Sequence, residues 1–301
     1  MHTASAGGPF LPFFFRLCKL LKVPAKFVFV FDGPHRPPVK RGVLVNTTSL
    51  WYASSVRRNL GGNPFSYGHS YAPGEAEAEM AKLNCWGSMN AVCTKDADAL
   101  VFGATTRGNT DNVKKLSAPD IAQKVGFTHS RLFLYALAAG GDYDSGISNC
   151  GCAGASELAL SGVGDSLFRD IMATRSDEER EALLEGWRDH VYEGILNKTI
   201  RFGTRLNHNL LSDLQFTDFP PLEVVNNYAN PATSATFPDY HPNTRNWRVG
   251  HEEPNPSAII QFCRDRLGWK DSSALLKVLR DNLWEGLVLR MIYSVSIRTM
   301  P

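Results

Sequence analysis

A run of five apolar, strand-favouring residues at 27–31, FVFVF, stops at Asp32-Gly33-Pro34. Short unbroken apolar runs are typical of strands buried on both faces, as in parallel sheets. Because Gly and Pro interrupt the run, Asp32 falls at the carboxyl end of the strand. Open α/β folds bind their ligands at that end of the sheet. The run therefore predicts an α/β fold with a functional acidic residue at Asp32.

The segment ahead of this strand is predicted to be an amphipathic helix. Arg16, Lys19 and Lys22 are spaced three apart, which places them on one helical stripe. The opposite face carries the residues expected in the core, Phe13, Phe14, Leu17, Leu20 and Leu21. These charges also argue against a signal peptide. The sequence contains no run of about 18 apolar residues of the kind that would predict a membrane span.

Further elements follow from apolar periodicity and from Gly and Pro positions. We predict strands at 91–94 and 100–103, a loop or linker over 217–258, and helices at 50–60, 75–84, 132–139, 153–160, 166–200, 257–268 and 272–292. Strand, helix and strand in succession indicate an α/β domain with a right-handed crossover. We expect an α/β domain at 1–139 on a mostly parallel sheet, and a mainly helical region at 140–301.

Acidic residues recur at strand ends and helix starts. They are Asp32, then Glu75, Glu77 and Glu79, then Asp96 and Asp98, and finally Asp142 and Asp144. Each group alone is unremarkable, but such ends converge at one edge of a parallel sheet. Clustered carboxylates repel one another and are tolerated chiefly where cations neutralise them. Oxygen ligands favour Mg²⁺ or Mn²⁺, and a site of this kind suits two-metal phosphodiester hydrolysis.

Positive charge is concentrated near the amino terminus, although the formal net charge is only +2. Residues 1–60 contain nine Lys or Arg residues and a single acidic residue, Asp32. Such a concentration is the electrostatic footprint of a protein that binds phosphate backbones. A solvated basic face would give the same pattern.

Four strings resemble the flap endonuclease superfamily, which includes the xeroderma pigmentosum group G (XPG) and Holliday-junction resolvase branches. They are FVFVFDGPHRPPVKRG, APGEAEAEMAKLN, TKDADALVFGA and GGDYDSGISNCG. The sequence is most similar to fungal members that resemble the GEN/Yen resolvases. The resemblance implies a PIN-like nuclease core, a helix-two-turn-helix, activity on flapped or branched DNA in repair, and a nuclear location.

The resemblance assigns roles position by position. The metal-binding carboxylates would be Asp32, Glu75, Glu77, Asp96, Asp98 and Asp142, which would hold two Mg²⁺ ions, with Mn²⁺ as a substitute. Glu79 and Asp144 would lie outside this set, and Glu79 is expected at the surface. Lys40 and Arg41 would contact the scissile phosphate. The turn containing Gly146, Ile147, Asn149 and Gly151 would bind one DNA strand, with a K⁺ ion held by its carbonyl groups.

Two departures from the superfamily pattern leave alternatives open. A first strand with another metal aspartate normally precedes the helix that comes before the FVFVF strand, and the sequence does not include it. The stretch 42–72, which corresponds to the superfamily's arch, is short and only weakly helical in pattern. The second hypothesis is therefore a catalytically impaired or truncated paralogue that binds branched DNA. A third, a PIN-type ribonuclease, shares the carboxylates but lacks the GISNCG turn.

Overall fold

A computed structural model describes residues 10–23, 25–45, 64–65, 67–108, 115–237, 240 and 254–298. Within these residues the helices are Phe10–Leu21 (α1), Ala76–Cys85 (α2), Asp98–Val101 (α3), Ala118–Val125 (α4), His129–Ala139 (α5), Gly151–Leu160 (α6), Leu167–Ala173 (α7), Asp177–Leu196 (α8), Thr204–Phe216 (α9), Leu222–Ala229 (α10), Pro256–Leu267 (α11), Ser272–Asn282 (α12) and Trp284–Arg298 (α13). The strands are Val28–Phe31 (β1), Val39–Lys40 (β2), Val43–Leu44 (β3), Gly68–Tyr71 (β4), Val92–Cys93 (β5), Thr106–Gly108 (β6) and Lys115–Ser117 (β7).

The chain divides into two compact units, which do not follow the boundary expected near residue 139. The first comprises residues 1–31, 48–71 and 241–301, and the second comprises residues 32–47 and 72–240. The first unit therefore packs α1 against helices from late in the sequence, α11, α12 and α13. The division into a nuclease core at 1–139 and a DNA-binding region at 140–301 stays a prediction about function.

In the first unit, α1 has the buried face that its periodicity predicted. Phe14 and Leu17 are fully buried among residues of α11 and α12, while Phe13 is only half-buried. Strand β1 pairs in parallel with β4, from Val28 opposite Gly68 onward. The prediction that β1 is buried on both faces is wrong, because all four of its residues are half-buried.

The second unit is built around α5. Thr128 caps this helix by accepting the backbone N–H of Arg131, and Phe133 and Leu134 are fully buried against α6, α7 and α8. A three-stranded sheet in the order β5-β6-β7 lies in the same unit, with one parallel and one antiparallel pair. The α/β class predicted from the sequence is confirmed.

Several predicted elements differ from the structure. Residues 100–103 are not a strand, because the short helix α3 begins at Asp98 and buries Leu100 and Val101. The segment 217–258 contains a helix, α10, whose Val225 is buried. The helix predicted at 166–200 is two helices, α7 and α8. The helix predicted at 272–292 is also two, because α12 ends at Asn282 and α13 begins at Trp284. The helix predicted at 50–60 lies outside the described residues.

Candidate metal centre

Asp32, at the end of β1, is fixed by the start of α2. Its Oδ1 accepts the backbone N–H of Ala76 at 2.9 Å, and its Oδ2 accepts Nη1 of Arg36 at 3.0 Å. A carboxylate at a helix amino terminus is stabilised by the orphan N–H groups and by the helix dipole. The next residue must be glycine, since a Cβ on Gly33 would lie 1.9 Å from the carbonyl oxygen of Ala72.

Glu75 caps α2 and is only 5% exposed. The Lys40 ammonium contacts its Oε1, and the Tyr143 hydroxyl donates to its Oε2. Burial raises the pKa of Tyr143, as does the charge of Glu75, so this hydroxyl stays protonated and remains a donor. Glu75 is thus a buried carboxylate that is held by one cation and one neutral donor.

Lys40 and Arg41 both reach Asp142. The Lys40 Nζ lies 3.1 Å from Oδ2 of Asp142, and Arg41 donates to Oδ1 from Nε at 2.8 Å. Burial would lower the pKa of Lys40, but its bonds to Glu75 and Asp142 outweigh burial and raise it. Burial would likewise raise the pKa of Asp142, but Lys40 and Arg41 lower it. Both ion pairs therefore remain charged near neutral pH.

Asp96, Asp98 and Asp142 form the tightest acidic group of the described residues. One oxygen from each lies within 4.8 Å of the others. The turn between β5 and α3 sets two of the three, because Thr94 Oγ1 accepts the Asp96 N–H and Asp96 Oδ1 accepts the Asp98 N–H. Burial raises the pKa of Asp98 to about 6, with further contributions from the charges of Asp96, Asp142 and Glu75. Negative charge is therefore concentrated here, although Lys40 and Arg41 pair with Asp142.

Glu77, in the first turn of α2, adds a further carboxylate near these acidic residues. Its Oε1 accepts the Thr94 hydroxyl at 3.5 Å. Burial raises the pKa of Glu77, its own backbone bond opposes that rise, and the charges of Asp32, Asp96 and Glu75 add to it. Asp32, Glu75 and Glu77 thus lie around the tightest group without belonging to it.

The site also contains residues that sequence reasoning missed or misplaced. Glu79 was expected at the surface but is 0% exposed, because Ser234 from a distant segment covers it. Tyr143 and Tyr228 were not predicted, and their rings pack edge to face with centroids 4.7 Å apart. The GGDY string could have indicated Tyr143, which directly follows Asp142, whereas no local signal indicates Tyr228.

The glycine-bounded turn between α5 and α6 is tightly built. Gly146 has a φ of +70°, and a Cβ there would lie 2.4 Å from the backbone nitrogen of Gly140. Ile147 is buried in the core, its N–H donates to the Ala138 carbonyl at 3.0 Å, and its carbonyl accepts the Cys150 N–H at 3.1 Å. Asn149 and Gly151 are exposed, both with positive φ. The DNA-binding role of this turn stays a prediction.

Comparison with known proteins identifies the class. Residues 69–142 match the XPG I-region family. The DNA excision repair protein ERCC-5 homolog of Xenopus laevis is 28% identical over 229 residues, covering 72% of this chain and 17% of that protein. A probable flap endonuclease 1 homolog of Danio rerio is 30% identical over 163 residues, covering 48% of this chain and 46% of that protein. The chain thus spans less than half the length of these curated relatives.

Solved structures agree with this assignment. A eukaryotic junction-resolving enzyme GEN-1 binding with caesium superposes with a TM-score of 0.70 at 25% identity, covering 96% of this chain and 68% of that one. The Holliday junction-resolving enzyme GEN1 in complex with product DNA and Mg²⁺ gives a TM-score of 0.62, also at 25% identity and with the same coverage. The matched region, the relatives and the solved structures together support an XPG/flap endonuclease superfamily nuclease, as the motifs predicted.

Proposed function

We propose that the chain is a structure-specific DNA endonuclease that cuts flapped or four-way-junction DNA by two-metal-ion hydrolysis of a phosphodiester. The observation that carries the proposal is the convergence of Asp96, Asp98 and Asp142, whose oxygens lie within 4.8 Å of one another. The names of the similar proteins support it, since they describe flap endonucleases and a junction-resolving enzyme.

The residues present fit a divalent cation. The pKa of Asp98 is raised first by burial and then by the charges of Asp96, Asp142 and Glu75, and a bound cation would offset that repulsion. Oxygen ligands favour Mg²⁺, with Mn²⁺ as a substitute. Asp96, Asp98 and Asp142 would hold the ions, together with Asp32, Glu75 and Glu77. When bound, two such ions supply an activated water and stabilise the leaving oxygen.

Lys40 and Arg41 would hold the scissile phosphate. The pKa of Lys40 is raised by its acidic partners, so its ammonium is fully charged at neutral pH. The Arg41 side chain is 76% exposed although its guanidinium reaches Asp142, which leaves room for a phosphate to approach. Two cations beside the carboxylates would orient the phosphate and stabilise the charge that develops during hydrolysis.

The turn at 146–151 would grip the duplex away from the cut. Asn149 and Gly151 are exposed at the start of α6, where N–H groups without helical partners suit a phosphate. A K⁺ ion held by the carbonyl groups of this turn would be a second cofactor, and the similar GEN-1 structure with caesium supports a monovalent ion without locating it. Branched DNA as the partner implies a nuclear location for the protein.

A second candidate function is branched-DNA binding without cleavage. The observation that favours it is that Asp32 and Glu75 are each paired with a basic side chain, Arg36 and Lys40. Asp142 is likewise paired with Lys40 and Arg41, and cations beside three of the carboxylates lower the negative charge that would attract metal ions.

The test is cleavage of end-labelled 5′-flap and four-way-junction DNA in Mg²⁺. We expect incision near the branch, and we expect the double variant Asp96→Asn/Asp98→Asn to abolish it while binding DNA normally in Ca²⁺. The control Asp189→Asn/Glu193→Gln removes the same charge from exposed positions on α8 and should cut like the unaltered chain. Binding without Mg²⁺-dependent cleavage would establish the second candidate instead.

A further inference from the structure

A segment from late in the chain, Pro231–Phe237, lies against the metal centre, and we call it the strap. The Gly74 N–H donates to the carbonyl oxygen of Ala232 at 3.0 Å. The approach is close, since a Cβ on Gly74 would lie 2.8 Å from that oxygen. The ring of Phe237 stacks on His35 with centroids 4.8 Å apart. The strap thus contacts both the start of α2 and the loop after Asp32.

Glu79 anchors the strap on α2. Its side chain is 0% exposed, and its Oε2 accepts the backbone N–H of Ser234 at 2.8 Å. Its Oε1 is buried without a hydrogen-bond partner in the described part of the chain. Burying a carboxyl group with a half-satisfied bonding capacity is costly, and an apolar residue would fill the same space at lower cost. In the described part of the chain, the hydrogen bond from the Ser234 N–H compensates part of the cost of burying Glu79.

The two pieces beneath the strap are the ones that carry Asp32 and Glu75. The Gly33 N–H donates to the Gly74 carbonyl at 2.6 Å, and the His35 N–H donates to the Pro73 carbonyl at 2.9 Å. The loop 32–35 therefore runs along residues 73–76, and the bond from Ala76 to Asp32 closes the pairing. The spacing between these two carboxylates depends on this pairing.

We propose that Glu79 is a positioning residue, which acts through the strap to hold the Asp32 loop against the start of α2. Two contacts anchor the strap over this pairing: Ser234, at its middle, bonds to Glu79, and Phe237, at its end, stacks on His35. The value of this clamp to catalysis rests on the proposed function, whereas the clamp itself does not. Glu79 touches none of the reacting groups and so differs in role from Glu75 and Glu77.

Hydrogen–deuterium exchange of the full chain in EDTA tests the clamp without metal or DNA. In Glu79→Ala we expect exchange at least about tenfold faster at Ser234 and also at Gly33, His35 and Ala76. In Glu79→Gln we expect protection near that of the unaltered chain, because the amide oxygen can still accept the Ser234 N–H. Faster exchange confined to Ser234 would overturn the proposal, as would equal exchange in both variants.

The matched control is Asp213→Ala. Asp213 is also a buried carboxylate that accepts one backbone N–H, that of Ser148 at 2.7 Å. Its loss should speed exchange at Ser148 and leave Gly33 and Ala76 unchanged; faster exchange at Ala76 would show general loosening and overturn the specific role of Glu79.

A second variant covers the case in which Glu79→Ala does not fold. Phe237→Ala removes the other anchor and should speed exchange at Gly33 and His35, and unchanged protection there would overturn the proposal. Mn²⁺ binding, followed by electron paramagnetic resonance, should weaken by at least about fivefold in Glu79→Ala but not in Asp213→Ala. If the unaltered chain neither binds Mn²⁺ nor cuts DNA, the proposed function fails and the exchange results still decide the role of Glu79.

Discussion

The ionised carboxylate of Asp98 should destabilise the metal-free protein. We therefore expect Asp98→Asn to raise the free energy of unfolding of the metal-free protein above pH 6. The pKa of Asp98 is raised from 3.8 to about 6, first by burial and then by its acidic neighbours. Between these two values the folded state binds more protons than the unfolded state. The stability of the unaltered chain therefore falls as pH rises through this window. The variant has no proton to lose there.

The magnitude follows from the shift. A change of about two pKa units corresponds to a ceiling of about 3 kcal/mol. Asp98 is only half-buried, so water screens part of the repulsion and about half of the ceiling is expected. Asparagine also loses the favourable position of a negative charge in the first turn of α3, at a cost of about 0.5 kcal/mol. The net gain is therefore about 1 kcal/mol at pH 8.

The assay is urea unfolding in EDTA at pH 4 and pH 8, with the midpoint and slope compared between the two proteins. The variant should gain about 1 kcal/mol at pH 8 and nothing at pH 4. Saturating Mg²⁺ should stabilise the unaltered chain more than the variant, since ions that bind only the folded state add to its stability. This electrostatic account would be refuted if the variant were less stable than the unaltered chain at pH 8. It would also be refuted if the difference in the free energy of unfolding between the two proteins were the same at both pH values.

Three further perturbations separate the contributions of single residues. Gly146→Ala should lower the free energy of unfolding by at least about 2 kcal/mol in thermal unfolding, because its Cβ would clash with the backbone. Gly151→Ala meets open space and should lower it by only about 1 kcal/mol, because of its positive φ. Equal losses of stability in the two variants would contradict this account. Tyr143→Phe removes the neutral donor to Glu75 and should lower stability by about 1–2 kcal/mol and weaken Mg²⁺ binding, and an unchanged calorimetric titration would argue against that role. Lys40→Ala should slow cleavage at saturating Mg²⁺ by on the order of 100-fold in single-turnover assays, and Lys40→Arg should recover part of the loss. Equal rates in the unaltered chain and in both variants would exclude a contact between Lys40 and the scissile phosphate.

Local sequence determined the elements that carry most of the acidic residues. The apolar run at 27–31 and the break after it place Asp32 at a strand end, and β1 has that position in the structure. Pro73-Gly74 and the acids that follow predict the helix that begins at Ala76. These features were readable because strand runs, breakers and helix-start residues act over a few neighbouring positions.

Other features depend on partners that are distant in the sequence. The segment 100–103 has strand-favouring residues, yet it lies at the end of helix α3, where Val101 is buried in the same core as Phe133 and its carbonyl oxygen bonds to His129 Nε2. Strand β4, which pairs with β1, was not recognised in a stretch of mixed composition. In both cases a bond outside the local apolar pattern decided the outcome.

The sequence by itself predicted the α/β class and the resemblance to the superfamily, and it determined the list of acidic side chains. Tertiary structure decided which of these side chains meet. It brings Asp142 to Asp96 and Asp98, places Lys40 between Glu75 and Asp142, and buries Glu79 beneath a strap that lies 155 residues away in the chain. The physical reason is that a motif fixes residue types and local backbone, whereas distances between carboxylates arise only when separate elements pack together.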